Sequence, residues 1–101
     1  MWVLFNDGFV SAVQNPNDRN GLVIRARRKE HLENIFPGEP VVVNGGTDYK
    51  YRIKVSKKLF ADVLANRAND IDYGNFKSSV ADDELHDLYA GFWGMHYRYQ
   101  R

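Results

Sequence analysis

The segment 71–77, IDYGNFK, holds the densest group of side chains that could do chemistry together. With two residues of a nearby strand, the residues that could bind a small ligand are Tyr49, Arg52, Asp72, Tyr73, Asn75 and Lys77. Polar chemistry collects on loops of a rigid scaffold, and here Asp72 could act as an acid or base while Lys77 or Arg52 holds an anion. The alternative is a structural clamp, in which Asp72 and Asn75 bond to the loop backbone. We favour the clamp.

No other residues form a recognisable catalytic or metal-binding set. His86 and His96 would lie about 80° and ~15 Å apart on one helix, so they cannot share a metal. The serines lack the context of a nucleophile elbow, and no helix follows Gly45-Gly46 to make it a phosphate loop. We therefore predict no catalytic residues, no metal and no cofactor, and we favour a protein that is not an enzyme.

Basic side chains alternate along two predicted strands. Residues 19–58 carry ten bases and four acids, although the net charge of the chain is only +1. If helices cover the other side of the sheet, one solvent-facing side presents Arg25, Arg27, Lys50, Arg52 and Lys54. This side could bind the phosphates of single-stranded nucleic acid. Two features oppose this interpretation: Tyr49 and Tyr51 alternate onto the buried side, away from stacking bases, and the acidic C-terminal third could cover the basic residues. The simpler alternative is a solvated face without an anionic partner.

The last predicted helix is crowded with aromatic side chains. One stripe along it consists of Leu85, Leu88, Phe92 and Met95 or His96, and the adjoining stripe consists of Tyr89, Trp93 and Tyr97. The simpler interpretation is a helix docked on the sheet. The functional interpretation is that Tyr89, Trp93 and Tyr97 bind another protein chain. Gly91 and Gly94 each cost about 1 kcal/mol in a helix, which the close approach of another backbone could offset.

The elements that position these residues are organised around the segment 49–55, YKYRIKV. Its apolar and basic residues alternate with a period of two, which predicts a strand with one buried face. Ser56 is a predicted N-cap of the helix that begins at Lys57 and folds back over that face. Asp82 is a predicted cap of the last helix, which should end near Tyr99.

The chain order is three strands at 2–6, 9–14 and 22–27, a helix at 29–36, strands at 40–44 and 49–55, and two helices. Asp7-Gly8 predicts a type I′ hairpin turn, and the three valines at 41–43 predict a strand buried on both faces. We expect one α+β domain over residues 1–101. Its five-stranded sheet should be mixed but mostly antiparallel, with helices packed on one face and a ferredoxin-like character. The third and fourth strands should be parallel, because a helix connects them.

Composition limits the cellular setting. The chain of 101 residues has no cysteine, which excludes disulfides and suits a reducing cytoplasm. No segment approaches the ~20 apolar residues of a membrane span. The first residues lack the basic region of a signal peptide. We therefore expect a cytoplasmic protein that does not enter a membrane.

Several stretches together resemble a family of small bacterial proteins of about this length that has no assigned activity. The matching residues are Met1-Trp2, Gly8-Phe9, Ser11, the segment 23–27, the segment 46–49, Tyr51-Arg52, the segments 71–73 and 75–77, His86-Asp87, Tyr89, Trp93, Met95, Tyr97 and Gln100. The resemblance spans nearly the whole chain. It implies no activity.

These observations favour a non-enzymatic protein-interaction module, whose partner is another protein or a second copy in a homodimer. One alternative is an enzyme or small-ligand binder that uses the segment 71–77. Another is nucleic-acid binding through the predicted solvent-facing side of the sheet, here called the basic face, which consists of Arg25, Arg27, Lys50, Arg52 and Lys54. An inhibitor encoded by a phage or mobile element is a further alternative, which no particular residue indicates.

Overall fold

The computed structural model describes residues 1–44, 46 and 48–101. The described residues form five strands and three α-helices, with a short 3-10 turn at Lys77–Ser79. The strands are β1 (Trp2–Phe5), β2 (Gly8–Gln14), β3 (Gly21–Ala26), β4 (Val42–Val43) and β5 (Tyr51–Ser56), and the helices are α1 (Lys29–Ile35), α2 (Lys57–Asn69) and α3 (Asp83–Tyr99). The predicted α+β class and the predicted order of the elements are confirmed.

The sheet has the strand order β1-β2-β3-β5-β4, and every neighbouring pair is antiparallel. Because β3 and β4 are both antiparallel to β5, they run in the same direction with β5 between them. The connection from β3 through α1 to β4 is therefore a split β-α-β unit, an arrangement typical of ferredoxin-like folds. The expected direction of β3 and β4 is confirmed, but the sheet is antiparallel throughout and not mixed.

Helices α1 and α2 cover one face of the sheet, here called the α1–α2 face. Its buried core comprises Phe5, Val10, Ala12, Ile24, Ala26, Ile53 and Val55 from the sheet, with Leu32, Ile35, Phe36 and Phe60 from the helical side. As predicted, Ser56 caps α2, since its hydroxyl oxygen accepts a hydrogen bond from the Leu59 N–H at 3.0 Å. The cap lets α2 begin directly after β5 and return over this face.

Helix α3 lies on the opposite face, here called the α3 face, so the expectation that all helices share one face is wrong. The residues that pack there are Leu4, Phe9, Tyr49, Phe76, Val80, Leu85, Tyr89 and Phe92. Leu4 and Phe9 point to this side because they alternate with the residues of the α1–α2 face. The hydroxyl of Tyr89 donates a hydrogen bond to the Phe5 carbonyl oxygen at 2.9 Å. This bond fixes α3 to β1.

The turn between β1 and β2 is formed by Asn6 and Asp7, because Phe5 pairs with Gly8. The predicted type I′ turn at Asp7-Gly8 is wrong. A type I′ turn needs positive φ at both central residues, and among the described residues only Gly38 has a positive φ. The sequence signal located the hairpin correctly and assigned the wrong turn geometry.

Two expectations about the strands β4 and β5 are also wrong. Strand β4 lies at the edge, and its residues Val42 and Val43 are 58% and 57% exposed instead of buried. Strand β5 begins at Tyr51, and the ring of Tyr49 is buried on the α3 face instead of the α1–α2 face. The predicted turn at Gly45-Gly46 includes Gly45, which lies outside the described residues.

The connection between α2 and α3 passes around β1, the edge strand, from one face of the sheet to the other. Tyr73 lines a groove beside Val3 and Phe5, and Phe76 lines a second groove beside Leu4. A segment in this position shields the free edge of β1 from other strands. No described helix combines the length and the apolar character needed to cross a lipid bilayer.

Candidate functional site

The connection between α2 and α3 is held in shape by its own contacts. The side-chain oxygen Oδ1 of Asn75 accepts a hydrogen bond from the Ser78 N–H at 3.0 Å. The ring of Phe76 lies 5.9 Å from that of Tyr73 and 5.5 Å from that of Tyr89. For Asn75, Tyr73 and Phe76, these contacts are those of a structural clamp.

The six residues predicted to bind a small ligand are not brought together. Asp72 is exposed and forms no hydrogen bond or ion pair with any described residue. The ammonium of Lys77 lies 4.3 Å from the centre of the Trp93 ring. Arg52 is on β5, three strand spacings of about 4.8 Å from β1, around which the loop passes. Tyr49 is only 4% exposed. Neither Arg52 nor Tyr49 can therefore complete a site beside Asp72.

A groove of about 330 Å³ lies between the edge of β1 and the end of α2. Beside it, the guanidinium of Arg67 donates hydrogen bonds of 2.7 and 3.0 Å to the two carboxylate oxygens of Asp7. The same guanidinium lies 5.1 Å from the centre of the Phe5 ring. The two charges satisfy each other, so this pair has the character of a structural tie. Sequence analysis missed it because 60 positions separate its members.

In the described part of the chain, no three or more metal-ligating side chains cluster together. His31 nevertheless has a defined structural role, which sequence analysis did not identify. Its Nδ1 accepts a hydrogen bond from the Phe9 N–H at 3.2 Å and must be unprotonated to do so. Burial lowers the pKa of His31 below its ordinary value. A lone histidine on an amphipathic helix gives no sequence signal for such a contact.

The C-terminal half of α3 exposes its aromatic side chains. Trp93 and Tyr97 are 46% and 60% exposed, and their rings are stacked with centres 5.3 Å apart. Met95 and Tyr99, on other sides of the helix, are 65% and 85% exposed. Tyr89, the third residue predicted to bind a partner, is only 2% exposed and belongs to the core. Only Trp93 and Tyr97 of that predicted set remain available to a partner, and we call these two residues the Trp93–Tyr97 surface.

Basic groups border the Trp93–Tyr97 surface. Lys77 covers one side of Trp93, and His96 lines the same groove of about 240 Å³. The last turn of α3 carries Arg98, and Arg101 follows it. The first turn of α3, in contrast, carries acidic residues. The exposed aromatic end of the helix is therefore its basic end.

Two arginines of the predicted basic face lie directly opposite each other. Arg25 and Arg52 are register partners on β3 and β5, so both side chains belong to the α3 face. Arg25 donates a hydrogen bond of 2.8 Å to Ser11 Oγ, and its guanidinium lies 4.6 Å from the centre of the Tyr49 ring. The Nε atoms of both arginines are buried without an acceptor among the described residues. Neither arginine forms an ion pair with a described residue.

The rim of the basic face is partly neutralised. Arg27 forms an ion pair of 3.0 Å with Asp48, and Arg28 pairs with Glu84 in the first turn of α3. Lys54 is exposed. Lys50 is also exposed, and its ammonium lies 5.6 Å from the centre of the Tyr51 ring, which packs against the core of the α1–α2 face. The acidic start of α3 therefore compensates Arg28 at the edge and leaves the centre of the face, at Arg25 and Arg52, positively charged.

Comparisons of the chain with models of protein families, with curated proteins and with solved structures gave no match. The resemblance to a family of small bacterial proteins therefore stays a prediction. Two surfaces stand out from the geometry: the exposed aromatic end of α3, and the arginine pair on the α3 face of the sheet.

Proposed function

We propose that this chain is a non-enzymatic protein-interaction module that binds its partner through the Trp93–Tyr97 surface. One observation carries the proposal: two large aromatic rings are stacked together and held in solvent at the end of α3. Aromatic residues are enriched at protein interfaces and dominate their binding energy. We further propose that the protein acts in the cytoplasm, because its lack of cysteine suits a reducing compartment.

The chemistry around the rings defines the kind of partner. Lys77 lies over Trp93, and His96 lines the same groove as both residues. A partner with an apolar anchor flanked by acidic residues would cover the rings and meet these basic groups at the rim. Charges at a rim steer association and select partners more than they add affinity. The binding energy itself would come from burying the Trp93–Tyr97 surface.

The test compares the wild-type chain with Trp93→Ala. Proteins retained from an extract by each immobilised chain are quantified, and the retained partner is purified and titrated against both chains by calorimetry. Loss of a central aromatic anchor costs about 2 kcal/mol or more, so we expect the dissociation constant to rise about 30-fold. Asp62→Ala, on the far side of the sheet in α2, is the control and should bind as the wild type does. Equal affinities of the wild type and Trp93→Ala would refute the proposal.

A second candidate function is binding of single-stranded nucleic acid by the α3 face. The observation that favours it is a row of residues across the sheet. Trp2, Ser11, Arg25 and Arg52 are successive register partners on β1, β2, β3 and β5. Trp2 is 67% exposed, which supplies a ring on which a base could stack beside two uncompensated arginines. The lack of an exposed ring for stacking, which counted against nucleic-acid binding in the sequence, therefore does not hold for this face, because Trp2 supplies such a ring.

A titration of oligonucleotides at two salt concentrations tests the second candidate. We expect the logarithm of affinity to fall with the logarithm of salt by about 0.7 for each phosphate contacted. Arg52→Met should weaken binding and reduce that slope, whereas Lys58→Met on α2 should change neither. Absence of binding at about 50 mM salt, where non-specific contacts are strong, would exclude this function.

A further inference from the structure

A second exposed stripe runs along α3, on a different side from the Trp93–Tyr97 surface. It consists of Glu84, Leu88, Gly91, Met95 and Arg98, at alternating spacings of four and three residues. All five are exposed, and the apolar pair Leu88 and Met95 is 44% and 65% exposed. The spacing is that of a seam along which two helices pack side by side. We call these five residues the α3 seam.

The position of the α3 seam on the helix leaves it open. At 100° per residue, its centre lies roughly 110° from the side of α3 that packs on the sheet and roughly 160° from the Trp93–Tyr97 surface. Leu88 borders a groove with Arg27 and Arg28, so this flank of α3 faces the half of the sheet that α3 does not cover. A second helix would therefore find access to the seam without displacing α3 or contacting Trp93.

The α3 seam has a reversed symmetry of chemical character. It reads acid, apolar, glycine, apolar, base from its N-terminal to its C-terminal end. When two copies of such a helix pack antiparallel about a two-fold axis, each residue meets its counterpart in the reversed order. Glu84 then faces Arg98 of the partner subunit at both ends, Leu88 faces Met95 of the partner subunit, and the two Gly91 residues meet at the centre.

We propose that the α3 seam is the interface of a homodimer in which the α3 helices of two chains pack antiparallel. This inference rests on the proposed function, in that it makes α3 an interaction element and names a second copy of the chain as one partner. The charges are complementary only in the antiparallel arrangement. In a parallel pair, Glu84 would face Glu84 and Arg98 would face Arg98. The charge order thus selects one geometry.

The glycines of α3 gain an explanation from this dimer. Gly91 is the ninth of the 17 residues of α3, at the midpoint where two antiparallel helices would cross. A Cβ atom at Gly91 would have no described atom of the same chain within 4 Å, so packing within the chain does not require a glycine. Its cost in the helix is about 1 kcal/mol relative to alanine. Close approach of the two helix backbones at the crossing point is what a glycine there permits.

One existing contact is compatible with the dimer. Glu84 already pairs with Arg28 of its own chain, but its side chain remains 73% exposed. A carboxylate has two oxygens and about four acceptor positions, so Glu84 can also accept from Arg98 of the partner subunit. The resulting group of three alternating charges would be more favourable than the exposed Arg28–Glu84 pair alone. A single helix pair is a small interface, so the dimer should form in the micromolar range.

Charge exchange tests the proposal directly. Sedimentation equilibrium would be measured from about 1 µM to about 500 µM for the wild type, Glu84→Arg, Arg98→Glu and the double variant. Each single change places like charges together at both ends of the seam, so the dimer dissociation constant should rise about tenfold or more. The double variant restores opposite charges at both ends and should return to within about threefold of the wild type. Circular dichroism of each variant verifies that it is folded.

A mixture of the two single variants gives an independent measurement that does not need the double variant to fold. Glu84→Arg and Arg98→Glu chains have opposite charges along the seam and should form heterodimers in preference to either homodimer. A monomeric wild type at about 500 µM, or single variants that neither associate with each other nor recover in the double variant, would overturn the proposal.

Trp93→Ala separates the dimer from the proposed function. It should leave the dimer dissociation constant unchanged, because Trp93 lies outside the α3 seam. A monomeric wild type that still binds another protein through Trp93 would refute only the dimer. A dimeric wild type whose partner binding is insensitive to Trp93 would refute only the proposed function. A dimer abolished by Trp93→Ala would show that a surface other than the seam holds the two chains together, and would overturn the inference.

Discussion

Arg25 and Arg52 stand opposite each other on β3 and β5, with both Nε atoms buried and no carboxylate paired to either among the described residues. Like charges at directly opposed positions of a sheet are destabilising. We therefore expect Arg52→Met to raise the free energy of unfolding by about 0.5 to 1 kcal/mol at low salt, with a smaller gain at high salt. Urea denaturation at two salt concentrations measures the effect.

Phosphate provides a complementary measurement at the same pair. An anion that binds only the folded state raises the melting temperature, and the rise grows with the ratio of the anion concentration to its dissociation constant. We expect phosphate to raise the melting temperature of the wild type more than that of Arg52→Met. The control is Lys54→Met, which removes an exposed charge from the same strand and should keep the response of the wild type. Identical responses of the wild type and Arg52→Met would show that the pair holds no anion.

The contact between His31 and Phe9 makes stability depend on pH. Above the ordinary pKa of histidine, both the folded and the unfolded chain hold a neutral imidazole. As the pH falls through about 6.5, the unfolded chain takes up a proton that the folded chain resists, because burial lowers the pKa of His31. We therefore expect stability to fall from about pH 7 towards pH 5 and to level off below the folded pKa.

A series of thermal melts across that range measures the contribution of His31. In His31→Gln the part of the pH dependence that comes from this residue should disappear, since glutamine does not titrate. His86→Gln is the matched control, because the side chain of His86 is 44% exposed and is not part of the buried core. A pH dependence that vanishes in His86→Gln and persists in His31→Gln would contradict the assignment.

Gly8 is required by the packing of α1 on the β1–β2 hairpin. A Cβ atom at this position would lie 2.9 Å from Ile35 Cδ1, 3.0 Å from His31 Cβ and 3.1 Å from the His31 Cα. Overpacking of this kind costs about 1 to 3 kcal/mol, so we expect Gly8→Ala to destabilise the chain by that amount in urea denaturation. Gly74→Ala, where a Cβ would have no described neighbour within 4 Å, should stay within about 0.5 kcal/mol of the wild type.

For Gly91 and Gly94 we expect substitution by alanine to have the opposite effect on stability. The close approach of another backbone, which could offset the cost of these glycines, is not found among the described atoms of the chain. A Cβ at Gly91 would meet no described atom within 4 Å, and one at Gly94 would meet only Arg98 Nη1 at 3.7 Å. Alanine at either position should therefore stabilise the monomer by about 0.5 to 1 kcal/mol. Chemical denaturation at low micromolar concentration measures this. A destabilised Gly91→Ala monomer would mean that the glycine serves packing within its own chain.

Local patterns in the sequence predicted the parts of the fold that depend on neighbouring residues. The alternation around Ile53 identified β5, and the caps Ser56 and Asp82 located the starts of α2 and α3. The helix predicted at 29–36 corresponds to α1 (Lys29–Ile35). Each of these signals lies within a few residues of the feature that it predicts, which is why they succeed.

The features that sequence analysis missed depend on distant contacts. Alternation in β2 shows that Val10 and Phe9 point to opposite faces, but it does not show that α3 will cover Phe9. A run of valines is equally compatible with a central strand and with the exposed edge strand β4, and only the strand order decides between them. For the same reason, Tyr89 and Trp93, one turn apart, could not be separated into a core residue and a surface residue before the helix was docked.

The most direct measurement of the proposed function is photocrosslinking from α3 inside the cell that encodes the protein. A benzophenone amino acid would replace Tyr97 on the exposed end of α3 and, as the control, Ala61 on the exposed side of α2. We expect position 97 to crosslink one discrete protein with acidic residues beside an apolar anchor, and we expect that product to be lost when Trp93→Ala is added. If positions 97 and 61 give the same background, or if the product survives Trp93→Ala, the end of α3 is not a protein-binding surface.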